Sequence, residues 1–265
     1  MLKSNRPQEP TKPYPYYEEN VKFNNTDAGV SLYGTFTRPN QKGKYPVVIL
    51  ISGCGRHDRD GSAMTHRPFL VLSDNLTRQG IAVFRYDDRG FRESTGDFSK
   101  ATTADFAQDV LSAVNYLKSR TDINPNQIGL IGHSEGGIIA PLVANQAQDI
   151  SFIVTLAATG IPGREVAVMQ SKAIRPFPVP DEVAFAENVK KSISVATSNQ
   201  EFEAKRKELN IHNKAYLTPI LKSLGASDEN ISKFIENETE TVLKPWSVYF
   251  YKYNPAIEFE KECSN

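Results

Sequence analysis

At 265 residues the chain is long enough to bury the core of one large α/β domain with room for an insertion. Lys plus Arg and Asp plus Glu both total 31, so no surplus positive field exists to gather phosphate backbones, which argues against nucleic acid as a partner. A hydrophobic share of 39% suits a globular protein, and the lack of any run of about 18 apolar residues argues against a membrane-spanning helix.

The chain opens with a Pro-rich polar stretch through Pro15, expected to run as an extended arm within residues 1–17. The start, Met1 to Pro7, has no apolar h-region, so the chain as written is expected to be cytoplasmic, or periplasmic or secreted if a leader has been removed. From Val21 to Pro39 two β-like runs flank Asn24-Asn25-Thr26-Asp27-Ala28-Gly29, a composition suited to a hairpin turn. Tyr45 to Ile51 is apolar without alternation, the pattern of a strand covered on both faces. A helix is expected after Pro68, with Phe69, Leu72 and Leu76 on one face and Gly80 past its end. Strand Ile81 to Tyr86 follows. Phe106, Val110, Ala113, Val114 and Leu117 then mark an amphipathic helix capped by Thr102 or Thr103, and Asn124-Pro125-Asn126 reads as a closing turn. Ile128 to Ile131 is a third buried strand, Glu135 to Gln146 a helix, and Ile150 to Ala158 a fourth buried strand.

This alternation of strand and helix implies a mostly parallel sheet with flanking helices and chemistry at the carboxyl ends of the strands. After Pro162 the chain turns charged and helical. The expected organisation is an α/β core over 1–162, a helical cap inserted at 163–247, and a return toward the core at 248–265. Cys54 and Cys263 stand far apart and outline no disulfide framework.

Gly132-His133-Ser134-Glu135-Gly136 matches G-x-S-x-G between a strand and a helix. A sharp strand-to-helix turn holds the serine oxygen clear of the sheet, and small residues two before and two after it, Gly132 and Gly136, leave room for the backbone. The helix start offers amides and a positive dipole end to a developing oxyanion. Ser134 is therefore the candidate nucleophile. Acyl transfer needs a second amide from the loop after the first buried strand, here Ser52-Gly53-Cys54-Gly55, so the backbone N–H groups of Cys54 and Glu135 are the candidate oxyanion hole. Cys54 as a thiol nucleophile with His57 is the weaker reading. Tyr86-Asp87-Asp88-Arg89-Gly90 reads as a salt-bridged turn that orders this loop rather than as a substrate contact. His133 reads as a support, because adjacent residues on an elbow point apart.

These stretches, together with Asp58-Arg59-Asp60-Gly61, resemble bacterial α/β-hydrolases of the serine-aminopeptidase-like or lipase-like group, many of them exported. The resemblance implies the α/β-hydrolase fold, a Ser-Asp-His triad, and hydrolysis of small carboxylic esters or related acyl compounds without metal or organic cofactor. The same group places its acid and histidine after the cap. Here the Asp residues beyond Ser134 are Asp149, Asp181 and Asp228 and the histidine is His212, none at those places, so the C-terminal strands with the triad partners are expected to be missing. The chain is then a serine hydrolase of reduced activity, with a non-catalytic binding module and a peptidase for short peptides as alternatives. An apolar sheet edge left open would invite self-association.

Overall fold

The computed structural model describes residues 6–263, with side chains through Lys261. Residues 1–5, the Cys263 side chain and residues 264–265, on which the readings of the chain start and of the second cysteine rest, lie outside the described residues. Two compact units are present, one formed by residues 1–159 with 258–265, the other by 160–257. The helical unit therefore opens three residues before the expected insertion point and runs ten past its expected end, because its last helix packs on its first.

The α/β unit is built on a six-stranded sheet in the order β1-β2-β4-β3-β5-β6. Strands β1 (Tyr17–Asn25) and β2 (Val30–Arg38) form the expected antiparallel hairpin, turned at Gly29 with φ 65°. β2 pairs antiparallel with β4 (Ala82–Tyr86), and β4, β3 (Tyr45–Ile51), β5 (Ile123–His133) and β6 (Ile150–Leu156) run parallel.

Strand β3 lacks polar alternation because both its faces are covered. Val47, Ile49 and Ile51 point to the side of α2 (Thr103–Lys118) and α3 (Glu135–Ala144), where Val110, Val114, Leu117 and Val143 pack. Val48 and Leu50 point the other way, onto Phe69, Leu72 and Leu76 of α1 (Pro68–Arg78). Each such side chain contributes about 1.5–3 kcal/mol by leaving water. α1 starts with Pro68 in its first turn, and α2 starts on a capping box in which Thr102 and Asp105 satisfy each other's amides.

Two local expectations need correction. Asn124-Pro125-Asn126 is not a closing turn but part of β5, whose pairing with β3 shifts register between Tyr45 and Val47; the Asn126 amide donates to Asn124 Oδ1 at 3.1 Å within that irregular stretch. The turn composition produces a bulge because β3 holds the chain extended on either side. Nor is β6 buried. It is the last strand of the sheet, and only its α3 side is packed, through Ile153; Phe152, Val154 and Leu156 are 45%, 39% and 40% exposed. An apolar run reads the same whether or not a neighbour covers it.

The helical unit contains α4 (Gly163–Ile174), α5 (Glu182–Thr197), α6 (Phe202–Ser223), α7 (Asp228–Leu243) and α8 (Pro245–Lys252). Asp181 caps α5 by accepting from the amides of Val183 and Ala184, and Ser227 caps α7 from Asn230. One core joins Leu217 and Leu221 to Ile231 and Ile235, and another joins Val195, Ala196, Leu209 and Leu243. Helix α9 (Ala256–Cys263) follows, and in it Glu258 accepts from Asn145 Nδ2 at 2.7 Å within the α/β unit.

Candidate active site

Ser134 sits between β5 and α3 with φ 53° and ψ −115°, a conformation L-residues avoid and one that the surrounding backbone must enforce. The enforcement is visible at the flanking glycines. A Cβ on Gly132 would lie 2.0 Å from the Gly136 carbonyl oxygen, and one on Gly136 would lie 2.3 Å from that of Ile51. The elbow is thus pressed against the end of β3, and no side chain larger than hydrogen fits at either place. Ser134 is pinned through its backbone: its N–H donates to the Leu156 carbonyl at 2.8 Å and its carbonyl accepts from Gly137 at 3.0 Å. Its Oγ makes no hydrogen bond to any described residue.

The loop after β3 lies beside the elbow. A Cβ on Gly53 would come within 3.1 Å of Ser134 Cβ, so the next amide, that of Cys54, belongs to the same small volume as Ser134 and the first turn of α3. The Cys54 carbonyl pairs with His57 Nε2 at 3.0 Å. Although Cys54 is exposed overall, partial burial of its sulfur, and then the Glu135 carboxylate, raise the thiol pKa. A thiol held neutral is a poor nucleophile, which weakens the cysteine reading. Glu135 is 4% exposed and accepts a 2.7 Å hydrogen bond from Thr103 Oγ1, tying the elbow to the start of α2.

Asp87, Asp88 and Arg89 form a latch at the end of β4. Asp87 takes the Arg59 amide at 2.7 Å and the Arg59 guanidinium. Asp88 spans the loop after β3, accepting from Ser52 Oγ at 2.8 Å on one oxygen and from the His57 amide at 2.7 Å on the other. Arg89 makes a two-pronged contact with Asp109 of α2, both bonds at 2.7 Å, and Asn25 completes that carboxylate at 2.8 Å. Burial pushes the Asp88 carboxyl up to about 7, with Glu135 adding to the rise, while the His57 amide and the Ser52 hydroxyl pull the other way. A cavity of about 20 Å³ between Ser52, Gly53, Asp88 and Glu135 has room for one water.

The latch matches the salt-bridged turn expected from its sequence. Sequence reasoning missed the link from Thr103 to Glu135: the two threonines before α2 read as alternative caps, whereas Thr102 caps and Thr103 faces the elbow. The other candidate groups serve elsewhere. His133 is exposed, His66 pairs with Arg6 at 2.9 Å, and His212 of α6 meets the Asn188 carbonyl at 3.2 Å. Asp149 pairs with Lys118, Asp181 caps α5, and Asp228 pairs with Lys222 at 3.0 Å. Among the described residues no histidine reaches Ser134 Oγ, no cluster of His, Cys, Asp or Glu is arranged to hold a metal, and no helix is long and apolar enough to cross a membrane.

Similarity to known proteins runs through the segments that build this elbow. Esterase EstD of Thermotoga maritima is 28% identical over 196 residues, covering 74% of this chain and 44% of EstD. The chain spans about half the length of the curated relatives it matches. Among solved structures, the Pyrococcus furiosus esterase Pf2001 superposes with a TM-score of 0.53 at 20% identity, covering 72% of this chain and 65% of that one. The α/β hydrolase GrgF of Penicillium sp. sh18 gives 0.51 at 17% identity, covering 90% and 74%. Both share the α/β-hydrolase fold seen here. The model of the serine aminopeptidase S33 family matches residues 47–229, from the first buried strand through the elbow and on into α7, and on that match the chain belongs to this esterase-like family of α/β-hydrolases.

Proposed function

We propose that the chain is a serine hydrolase of small carboxylic esters or related acyl compounds, with Ser134 as nucleophile. The observation that carries this reading is the strained backbone of Ser134 at the end of β5, with the Gly53-Cys54 loop packed against it. Ser134 Oγ adds to the acyl carbon, its proton passes to solvent water, and the carbonyl electrons move onto oxygen. The backbone amides of Cys54 and Glu135 receive that oxyanion, in the first turn of a helix whose dipole favours negative charge. Collapse expels the alcohol and leaves an acyl-serine, which water then cleaves. Asp88 acts through the loop by holding Ser52 and His57. The esterase relatives support the choice of esters over other acyl groups.

Because no described histidine contacts Ser134 Oγ, turnover by this chain is expected to be slow, at the level an oxyanion hole sustains without its base. The same observation favours a second reading, a hydrolase-like module that binds without catalysis. The two separate on treating the folded 265-residue chain with a fluorophosphonate, mapping the adduct, and assaying p-nitrophenyl acetate beside Ser134→Ala. Labelling confined to Ser134, with hydrolysis lost in Ser134→Ala, supports the hydrolase. A folded chain that neither labels nor hydrolyses above the Ser134→Ala background supports the binding module.

A further inference from the structure

We propose that the helical unit holds a binding site of its own for an organic cation of the quaternary ammonium class, seated among aromatic rings with its charge facing Glu238. A cavity of about 430 Å³ opens inside this unit, and every residue lining it lies between Ala167 and Tyr251. That volume falls in the range of about 300–1,000 Å³ typical of small-molecule sites.

The walls are aromatic. Phe177 and Phe234 meet edge to face with centroids 5.7 Å apart, and Trp246 and Phe250 stack at 5.2 Å. Aromatic faces carry negative potential and attract a weakly hydrated cation, which is how quaternary ammonium groups, having no N–H to donate, are recognised.

The charge left open inside is negative. Arg175, Glu238 and Tyr251 are the titratable groups among the lining residues, and those contributed by α4, α5 and α6 are neutral. Arg175 is already answered: it pairs with Glu182, donates to the carbonyls of Lys172 at 2.6 Å and Phe177 at 3.1 Å, and lies 5.4 Å from the Phe185 ring centre. Glu238 makes no hydrogen bond or ion pair with any described residue, and burial raises its carboxyl pKa with no neighbouring cation to offset the rise. Its charge reaches the buried Tyr251 of α8, whose own pKa is raised by burial and then by Glu238.

Helix periodicity turns this carboxylate to the cavity. Phe234, Glu238, Thr241 and Val242 stand at i, i+4, i+7 and i+8 on α7, one face of the helix, and all four line the space. Unlike Asn188 Oδ1, the Glu238 oxygens are not closed off from solvent. A half-buried carboxylate without a partner is costly, and a cation in contact with it offsets that cost and holds it ionised. This proposal is independent of acyl transfer at Ser134.

The test titrates phenyltrimethylammonium, and its uncharged isostere tert-butylbenzene, into the folded chain. Trp246 is the chain's one tryptophan and lines the cavity, so its fluorescence reports occupancy. Saturable one-to-one binding of the cation is expected at pH 8. Glu238→Gln should weaken the cation about tenfold and leave the isostere unchanged. Lowering the pH from 8 to 5 should weaken the cation in the wild type, because protonation removes the charge it faces. The proposal is overturned if the folded wild-type chain shows no saturable change with the cation, if folded Glu238→Gln binds the cation like the wild type, or if that variant weakens cation and isostere alike. Should Glu238→Gln fail to fold, the wild type decides: equal cation affinity at pH 5 and pH 8 overturns the proposal.

Discussion

The elbow of the α/β unit and the cavity of the helical unit handle buried polar groups in opposite ways. Around Ser134 nearly every neighbouring charge is committed: Asp87 to Arg59, Asp88 to Ser52 and His57, Arg89 to Asp109, Glu135 to Thr103. What stays open there is the Ser134 hydroxyl, the proposed nucleophile. In the helical unit the row from Ser192 to Thr239 is closed, while Asn188 Oδ1 is buried without a hydrogen-bond partner. A site for chemistry requires geometry held from many sides, because small displacements cost rate.

The largest expected effect tests how rigid the elbow is. Gly132→Ala drives a methyl to 2.0 Å from the Gly136 carbonyl, and relief requires moving α3 away from β5. Loss of about 3 kcal/mol or more is expected in urea unfolding, together with loss of fluorophosphonate labelling. A variant of wild-type stability would show the elbow to be softer than its contacts imply.

A smaller effect sharpens the role of the latch. The Asp88 carboxyl titrates near 7 when folded against an ordinary 3.8, so the folded state binds the proton more tightly. Its contribution to stability is then fully present below about pH 3.8 and lost as pH rises through 7. Allowing for the residue's partial exposure, the loss is on the order of 2 kcal/mol. Asp88→Asn should flatten this part of the profile, measured by chemical unfolding at pH 5 and pH 8. Identical profiles for variant and wild type would remove the carboxylate from the account.

The smallest effect on stability is at the sheet edge. Val154→Lys on β6, a residue 39% exposed, should change unfolding by less than about 0.5 kcal/mol. It should also lower any self-association seen in sedimentation, because a lysine on an open strand opposes edge pairing. A wild-type chain that stays monomeric at high concentration would show that this edge does not recruit a second copy.

The sequence by itself determined the features that depend on near neighbours. Apolar runs without alternation marked β3, β4 and β5 as covered strands, Pro68 and Thr102 marked helix starts, and the spacing of Gly132 and Gly136 around Ser134 marked the elbow. Each is dictated by local backbone geometry and side-chain size, which a short window contains.

Tertiary structure alone decided which polar group meets which. Asp87 and Asp88 are adjacent and chemically alike, yet one holds Arg59 and the other Ser52 and His57, because successive side chains leave the strand end in different directions. Thr103 turned to Glu135, 32 positions away, while Thr102 capped the helix. The turn-like Asn124-Pro125-Asn126 became strand because β3 lay beside it, and apolar β6 stayed exposed because only its α3 side is packed. Hydrophobicity and propensity belong to single residues and short windows, whereas burial and hydrogen-bond partnership depend on elements far away in the chain.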